Sequence, residues 1–243
     1  GMNVNVDTLA FIDDSIFERE EVKSALPQVR IYDVIDIKKI EGLSEFDVPI
    51  TSQSHTRRVS YLENIEREKE YKTSKNNFDQ FLLSCKMKIS ILESMKNFDR
   101  CHELISRTNQ FSISGKKFNV EEFKKLLTNE QSFCWNLSDK FGDYGIVGFL
   151  SFVENDSEVL ITNLVLSCRA AEKKVEETIF DWIQKKYKTK DIKIKFVKTK
   201  KNNPIFNKLE GINLFKTKND DFDTYKLDKK NNLLNKNFIE INT

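Results

Sequence analysis

A chain of 243 residues allows one large domain or two smaller pieces, and 39% hydrophobic beside 32% charged residues describes a folded globular protein, not a disordered one. A formal net charge of +2 gives no electrostatic case for nucleic acid, and no apolar run reaches the ~18 residues a membrane helix needs. The cysteines Cys85, Cys101, Cys134 and Cys168 form no CxxC pair and the first fourteen residues lack a basic leader, which argues against a disulfide framework, structural zinc or secretion and for a reducing cytoplasm.

Gly1 reads as a tag-cleavage scar and is set aside. Residues 6–12 then read as a strand, 17–26 as a helix and 28–35 as a second strand, with Pro27 between the last two. A charged helix follows from about His55 to Lys72 with a narrow apolar stripe of Val59, Leu62 and Ile65, and Ser74-Lys75-Asn76-Asn77 is the best linker. Phe78–Ser84 reads as a short helix and Met87–Leu92 as a strand. Phe98, Cys101, Leu104 and Ile105 mark one helix face, and Val120, Phe123, Leu126 and Leu127 another. Ser132–Leu137 and Gly145–Val153 are strands joined by a turn at 141–145, and Glu158–Ser167 is a third, strongly apolar strand. Val175, Ile179, Trp182 and Ile183 give an amphipathic helix; Asp191–Val197 is a strand, Pro204–Leu209 a short helix and Phe222–Leu227 a last strand. The tail 229–243 is polar and reads as loose.

The order after residue 87 is strand, two helices, three strands, helix, strand, short helix, strand, which is similar to the layout of the GNAT acyltransferase fold. Particular segments are more specific. Phe11-Ile12-Asp13-Asp14-Ser15-Ile16-Phe17-Glu18-Arg19, Arg107-Thr108-Asn109-Gln110-Phe111, the run from Phe141 to Gly148, Leu166-Ser167-Cys168-Arg169 and Lys201-Asn202-Asn203-Pro204 stand in an order that resembles the FkbH-like proteins, from residue 9 to about 215. The resemblance implies an α/β (α+β) protein in two parts. Residues 2–74 would be the closing portion of a haloacid-dehalogenase-like (HAD-like) domain, a strand-helix-strand unit with a connecting helix. Residues 75–228 would be a GNAT-like mixed sheet flanked by helices. It also implies transfer of an acyl or glyceryl unit to an acyl carrier protein, toward methoxymalonyl-type extender units for polyketide assembly.

Three departures from the family pattern bear on activity. No DxDxT precedes Asp13, so Asp13 and Asp14 match only the closing magnesium loop; HAD phosphatase chemistry and a working magnesium site are not expected from this chain alone. The loop by which the fold grips a coenzyme pyrophosphate is aligned with Arg169-Ala170-Ala171-Glu172-Lys173-Lys174, where Glu172 and Lys174 replace both glycines. A Phe-Tyr pair of the family is Phe206-Asn207, and Asn207 has no comparable acidic proton. Coenzyme A or a carrier-protein phosphopantetheine is therefore expected as cofactor only through a degenerate loop.

Cys168 is the candidate catalytic residue. It stands at a strand end beside Arg169, before a helix N-terminus, and could carry a thioester; the plainer alternative is a buried structural thiol. Arg107, Thr108, Asn109 and Gln110 are candidate substrate contacts or, as plainly, a helix C-cap. Leu166, Ser167 and Arg169 would line the acyl group, with the Leu164–Ser167 backbone N–H groups polarising its carbonyl. Asn203 is either a substrate contact or the N-cap of the helix that Pro204 opens. Lys193, Lys195 and Lys198, in a basic run along one strand face, would dock an acidic carrier protein or simply meet solvent. His55 and His102 have no metal spacing. The alternative to an enzyme is a non-catalytic module that binds a carrier protein or completes a separate HAD-like protein.

Overall fold

A computed structural model describes residues 6, 9–40, 42–44, 46, 52–74, 77–212, 214–217, 223–228 and 238–242. The chain divides into two compact units, Gly1–Arg57 and Arg58–Thr243.

In the first unit, β1 (Ala10–Asp13) and β2 (Arg30–Asp33) pair in parallel, in register from Ala10 with Arg30 to Asp13 with Asp33. The connecting helix α1 (Ile16–Ala25) starts where the Ser15 hydroxyl accepts the Glu18 N–H at 3.4 Å. The expected strand over 28–35 stops at Asp33, because Asp33 caps a 3-10 turn that leads into the short helix α2 (Ile37–Ile40). This is the expected strand-helix-strand unit; nothing further in it establishes a HAD-like domain.

Helix α3 (Ser52–Thr73) crosses the boundary. Sequence placed that boundary after residue 74, but the second half of α3 is bonded into the second unit. Arg67 Nε and Nη2 donate to the two Asp139 oxygens at 2.7 and 2.9 Å, and its guanidinium lies 4.2 Å from the Tyr144 ring centroid. Both partners of this pair are buried, so it fixes the helix far more firmly than surface charges would.

The second unit is built on one eight-stranded mixed sheet. In chain order its elements are α4 (Phe78–Ser84), β3 (Met87–Glu93), α5 (Phe98–Arg107), α6 (Val120–Asn129), β4 (Gln131–Asp139), β5 (Gly142–Glu154), β6 (Glu158–Leu166), α7 (Val175–Lys186), β7 (Asp191–Phe196), α8 (Asn203–Glu210), β8 (Leu214–Thr217), β9 (Asp223–Leu227) and β10 (Ile239–Asn242). The order across the sheet is β10-β3-β4-β5-β6-β7-β9-β8, parallel at β10/β3 and β6/β7 and antiparallel elsewhere. Parallel β6 and β7 need a crossover, and α7 supplies it.

Alternation along the strands makes two cores. Cys134, Phe149 and Val165 pack with Cys101, Ile105 and Phe123 of α5 and α6. Their neighbours Trp135, Leu150 and Leu164 pack the other way, with Ile179, Phe180 and Ile183 of α7 and Ile205 and Leu209 of α8. Gly148 is required here: a Cβ would fall 2.0 Å from the Trp135 ring. Helix α6 begins in a capping box between Asn119 and Glu122.

Two boundaries differ from expectation. The β4–β5 turn lies at Asp139–Gly142, where Asp139 Oδ1 accepts the Phe141 and Gly142 N–H groups at 2.9 and 3.0 Å; the glycine at 145, at φ +71°, instead relieves a bulge inside β5. The tail read as loose carries β10, paired in parallel with Met87–Ser90 of β3. No helix among the described residues is long and apolar enough to cross a membrane.

Candidate functional site

The two parallel strands at the centre of the sheet do not stay together. They pair from Glu158 with Asp191 to Ile161 with Ile194, after which β6 continues to Leu166 alone. A register slip opposite Ser151 and Phe152, with Thr162 as the extra residue, bends β6 at the point of divergence. A wedge opens between β6 and the segment after β7, and the chain fills it with its own backbone. Ile113 N–H donates to Leu164 O at 3.1 Å, Leu166 N–H to Phe111 O at 2.9 Å, and Val197 N–H to Ile113 O at 2.9 Å. Ser112 bridges Val165 in antiparallel sense. Phe111–Ile113 is thus a miniature strand inside the wedge, and Ser112 and Ile113 are buried.

One side chain holds this segment from behind. Asn202 is 0% exposed and uses its whole amide: Nδ2 donates to Ser112 O at 3.0 Å and Val197 O at 2.9 Å, and Oδ1 accepts the Thr199 N–H at 2.8 Å. The glycine at 115, at φ +61° and with Thr199 Cγ2 2.7 Å from where a Cβ would sit, turns the chain out of the wedge. Ile205 N–H adds a bond to Gln110 O at 3.3 Å. Sequence singled out Asn203 as the N-cap; the structure makes Asn202 the N-cap residue, without a side-chain cap bond, and leaves Asn203 exposed in the first turn of α8 with Asn207 exposed further along it.

Cys168 stands two residues beyond the end of β6 and is exposed, whereas Cys85, Cys101 and Cys134 are buried. Burial pushes the Cys85 thiol up to about 11, with the nearby Asp139 charge acting the same way. The Cys101 thiol is also raised, by its hydrogen bond with Cys134 and by burial. The expected seat of Cys168 directly before a helix is corrected: turns through residues 168–174 separate it from α7 along the chain. Its electrostatic neighbour is Arg169, whose guanidinium is lowered by burial and by Arg100, against Cys168, Glu103 and Asp143. Arg100 in turn donates to Ile146 O and pairs with Glu103 at 2.7 Å. Arg100 and Glu103 thus act electrostatically on Arg169, the residue that follows Cys168.

The other sequence candidates fall into place unevenly. Arg107 ends α5 and pairs with Glu103 at 2.8 Å, and Thr108 is the C-cap, its carbonyl accepting Lys117 Nζ at 2.5 Å. Asn109 and Gln110 are exposed. Leu166 and Ser167 do not offer free N–H groups as expected, since Leu166 N–H is spent on Phe111 O and Ser167 N–H on Val147 O at 2.7 Å. Lys193 is ion-paired with Glu158 at 2.5 Å, Lys195 is half-buried and Lys198 exposed. Asp13 Oδ1 accepts the Ser15 N–H at 2.8 Å, its carbonyl accepts Arg19 Nη1 at 2.7 Å, and Asp14 is exposed. No cluster of three His, Cys, Asp or Glu suited to a metal occurs among the described residues.

Sequence reasoning missed a polar network on the α5/α6 face. Glu130 Oε2 accepts the Ser151 and Thr162 hydroxyls at 2.6 and 2.5 Å. Asn163 donates to Ser151 Oγ at 3.0 Å and accepts Ser114 Oγ at 2.9 Å. Ser114, Glu130, Ser151 and the Thr162-Asn163 pair come from separate stretches of the chain, so no local motif announces it.

The β6–α7 loop keeps a glycine-like path without glycine. Glu172 and Lys174 are left-handed, at φ 66° and 60°. Lys173 lies 5.5 Å from the Tyr144 ring centroid and Lys174 4.8 Å from that of Phe238. At the start of α7, Glu176 is buried against Lys208 at 2.5 Å with its second oxygen unpartnered, and Glu177 also has a buried unpartnered oxygen. Burial, then the Glu176 charge, raises the Glu177 carboxyl.

No family model matches the chain and no curated protein matches it. Solved structures do. A domain from Methanocaldococcus jannaschii is 15% identical over 58% of this chain and 98% of its own, with a TM-score of 0.48. A GNAT-family acetyltransferase from Bacillus anthracis is 18% identical over 58% and 93%, with a TM-score of 0.41. The PaiA N-acetyltransferase of Thermoplasma acidophilum, solved with coenzyme A, is 14% identical over 58% and 96%, with a TM-score of 0.38. The strand order gives a large mixed sheet flanked by helices, and at these identities and TM-scores no activity, substrate or cofactor carries over from the solved structures. Coenzyme A, which the sequence resemblance implies, does not fit the residues present: the wedge is filled with main chain, and the start of α7 holds a buried, unpartnered oxygen on each of Glu176 and Glu177.

Proposed function

We propose that the protein is an acyl-transfer component in which Cys168 carries the acyl group. The single observation behind this reading is an exposed cysteine at the end of β6, electrostatically coupled to the adjacent Arg169. The Cys168 thiolate would attack an activated acyl donor, an acyl phosphate or thioester, forming the S–acyl bond as the phosphate or thiolate departs with its electron pair. The phosphopantetheine thiolate of an acyl carrier protein would then attack the thioester, and Cys168 would leave as thiolate. Arg169 and Arg100 would attract an anionic donor. The resemblance to FkbH-like proteins specifies the acyl group as glyceryl and the destination as a methoxymalonyl-type extender unit. No step passes through the wedge, so its closure is compatible with this route.

Intact-protein mass spectrometry after incubation with a glyceryl or acetyl thioester tests the proposal. The expected result is one adduct of the acyl mass, removed by neutral hydroxylamine and absent from Cys168→Ala. An adduct of equal yield in Cys168→Ala would sink it.

A second reading is favoured by Leu166 and Ser167, whose N–H groups are already committed. The chain would then be a non-catalytic module that docks a carrier protein, or a separate HAD-like protein, partly through Lys193, Lys195 and Lys198. Carrier binding that weakens with salt and survives Cys168→Ala, with no adduct on the wild type, would favour the module.

A further inference from the structure

We infer that the wedge between β6 and β7 is a closed structural seam and not a coenzyme slot, and that Asn202 is the positioning residue that locks it. A pantetheine arm carries two amides and would lie along an open strand edge, exchanging hydrogen bonds with it as another strand does. The groups such an arm would need are Leu164 O, Leu166 N–H and Val197 N–H, and each is bonded to Phe111 or Ile113. Entry therefore requires the whole segment to leave. That would break these bonds, strand in a buried position the Asn202 donor that Ser112 O now accepts, and pull Ile113, fully buried, out of the core. The far end of the cleft agrees independently. The diphosphate of a coenzyme would meet the buried, unpartnered oxygens of Glu176 and Glu177 at the start of α7.

The seam also accounts for two sequence segments that the transfer chemistry leaves unused. Arg107–Phe111 delivers the filling segment, and Lys201–Pro204 supplies its lock; they meet through Asn202 to Ser112 O, 90 positions apart, and through Ile205 N–H to Gln110 O.

Amide hydrogen exchange of the full chain, with and without 1 mM coenzyme A, tests the inference. The Ile113, Leu166 and Val197 amides are expected to exchange as slowly as that of Phe149 in the sheet centre, and to be unaffected by coenzyme A. Calorimetry is expected to show no saturable binding below about 1 mM. Exchange of these three amides within seconds, or a coenzyme-induced change confined to them, would overturn the inference. In Asn202→Ala the three amides are expected to exchange at least about tenfold faster relative to Phe149, following the opening free energy; an unchanged ratio would remove Asn202 as the lock. Should that variant fail to fold, the wild-type exchange pattern decides alone. The Cys168 adduct is read separately by mass, so either conclusion can fail without the other.

Discussion

Glu172 and Lys174 hold a backbone conformation that residues with side chains seldom adopt. Both have the left-handed backbone that a phosphate-gripping loop reserves for glycine, although neither residue is glycine. The path of the loop is imposed by its ends, β6 below and α7 above, and the strain is borne locally. Replacing either residue with glycine is expected to stabilise the protein by about 0.5–1 kcal/mol, the relief of a left-handed side chain less the extra freedom glycine gives the unfolded chain. For a unit of this size that is a rise in Tm of about 1–4 °C per substitution. A Tm unchanged or lowered in both variants would show that the loop is not strained at these positions.

At the scale of elements, the Arg67–Asp139 pair decides where α3 belongs. Desolvation alone would raise the Asp139 carboxyl, but its bonds to Arg67, Tyr144 and the turn N–H groups hold it below its ordinary value of 3.8. Because the folded carboxyl is depressed, its stabilisation is fully present above the unfolded pKa and is lost as pH falls through the folded one. Asp139→Ala is expected to cost about 3–5 kcal/mol at pH 7, since it leaves a buried guanidinium unpaired. The gap from wild type, measured by urea unfolding, should narrow below about pH 4. A gap independent of pH would assign the loss to packing. Elements of this kind were only half legible. The apolar runs of β3 to β7 and the spacing of α5 to α7 announce themselves because each buries a face at its own period. The strand β8 and the filling segment at 111–113 do not, being short and made by pairing instead of pattern. For the same reason the sequence pointed at Asn203, a plausible cap, and passed over Asn202, whose partners lie across the fold.

Over the whole molecule, the sequence drew the domain boundary at the linker after α3, whereas the chain divides into compact units between Arg57 and Arg58, within that helix. It also treated the polar residues beyond 228 as loose, because a four-residue strand with one charged position carries too little signal. Yet that strand decides what the outer border of the sheet presents to other molecules. With β10 in place, Met87–Ser90 of β3 are paired on their outer side, and Lys88 and Glu240 form a charge pair across the two strands, 3.3 Å apart. Deleting residues 238–243 is expected to give concentration-dependent oligomers by light scattering, where the full chain stays disperse; a truncated protein that remains disperse would refute this. The final strand thus acts as a selvedge: it keeps an eight-stranded sheet from becoming a template for another copy of itself.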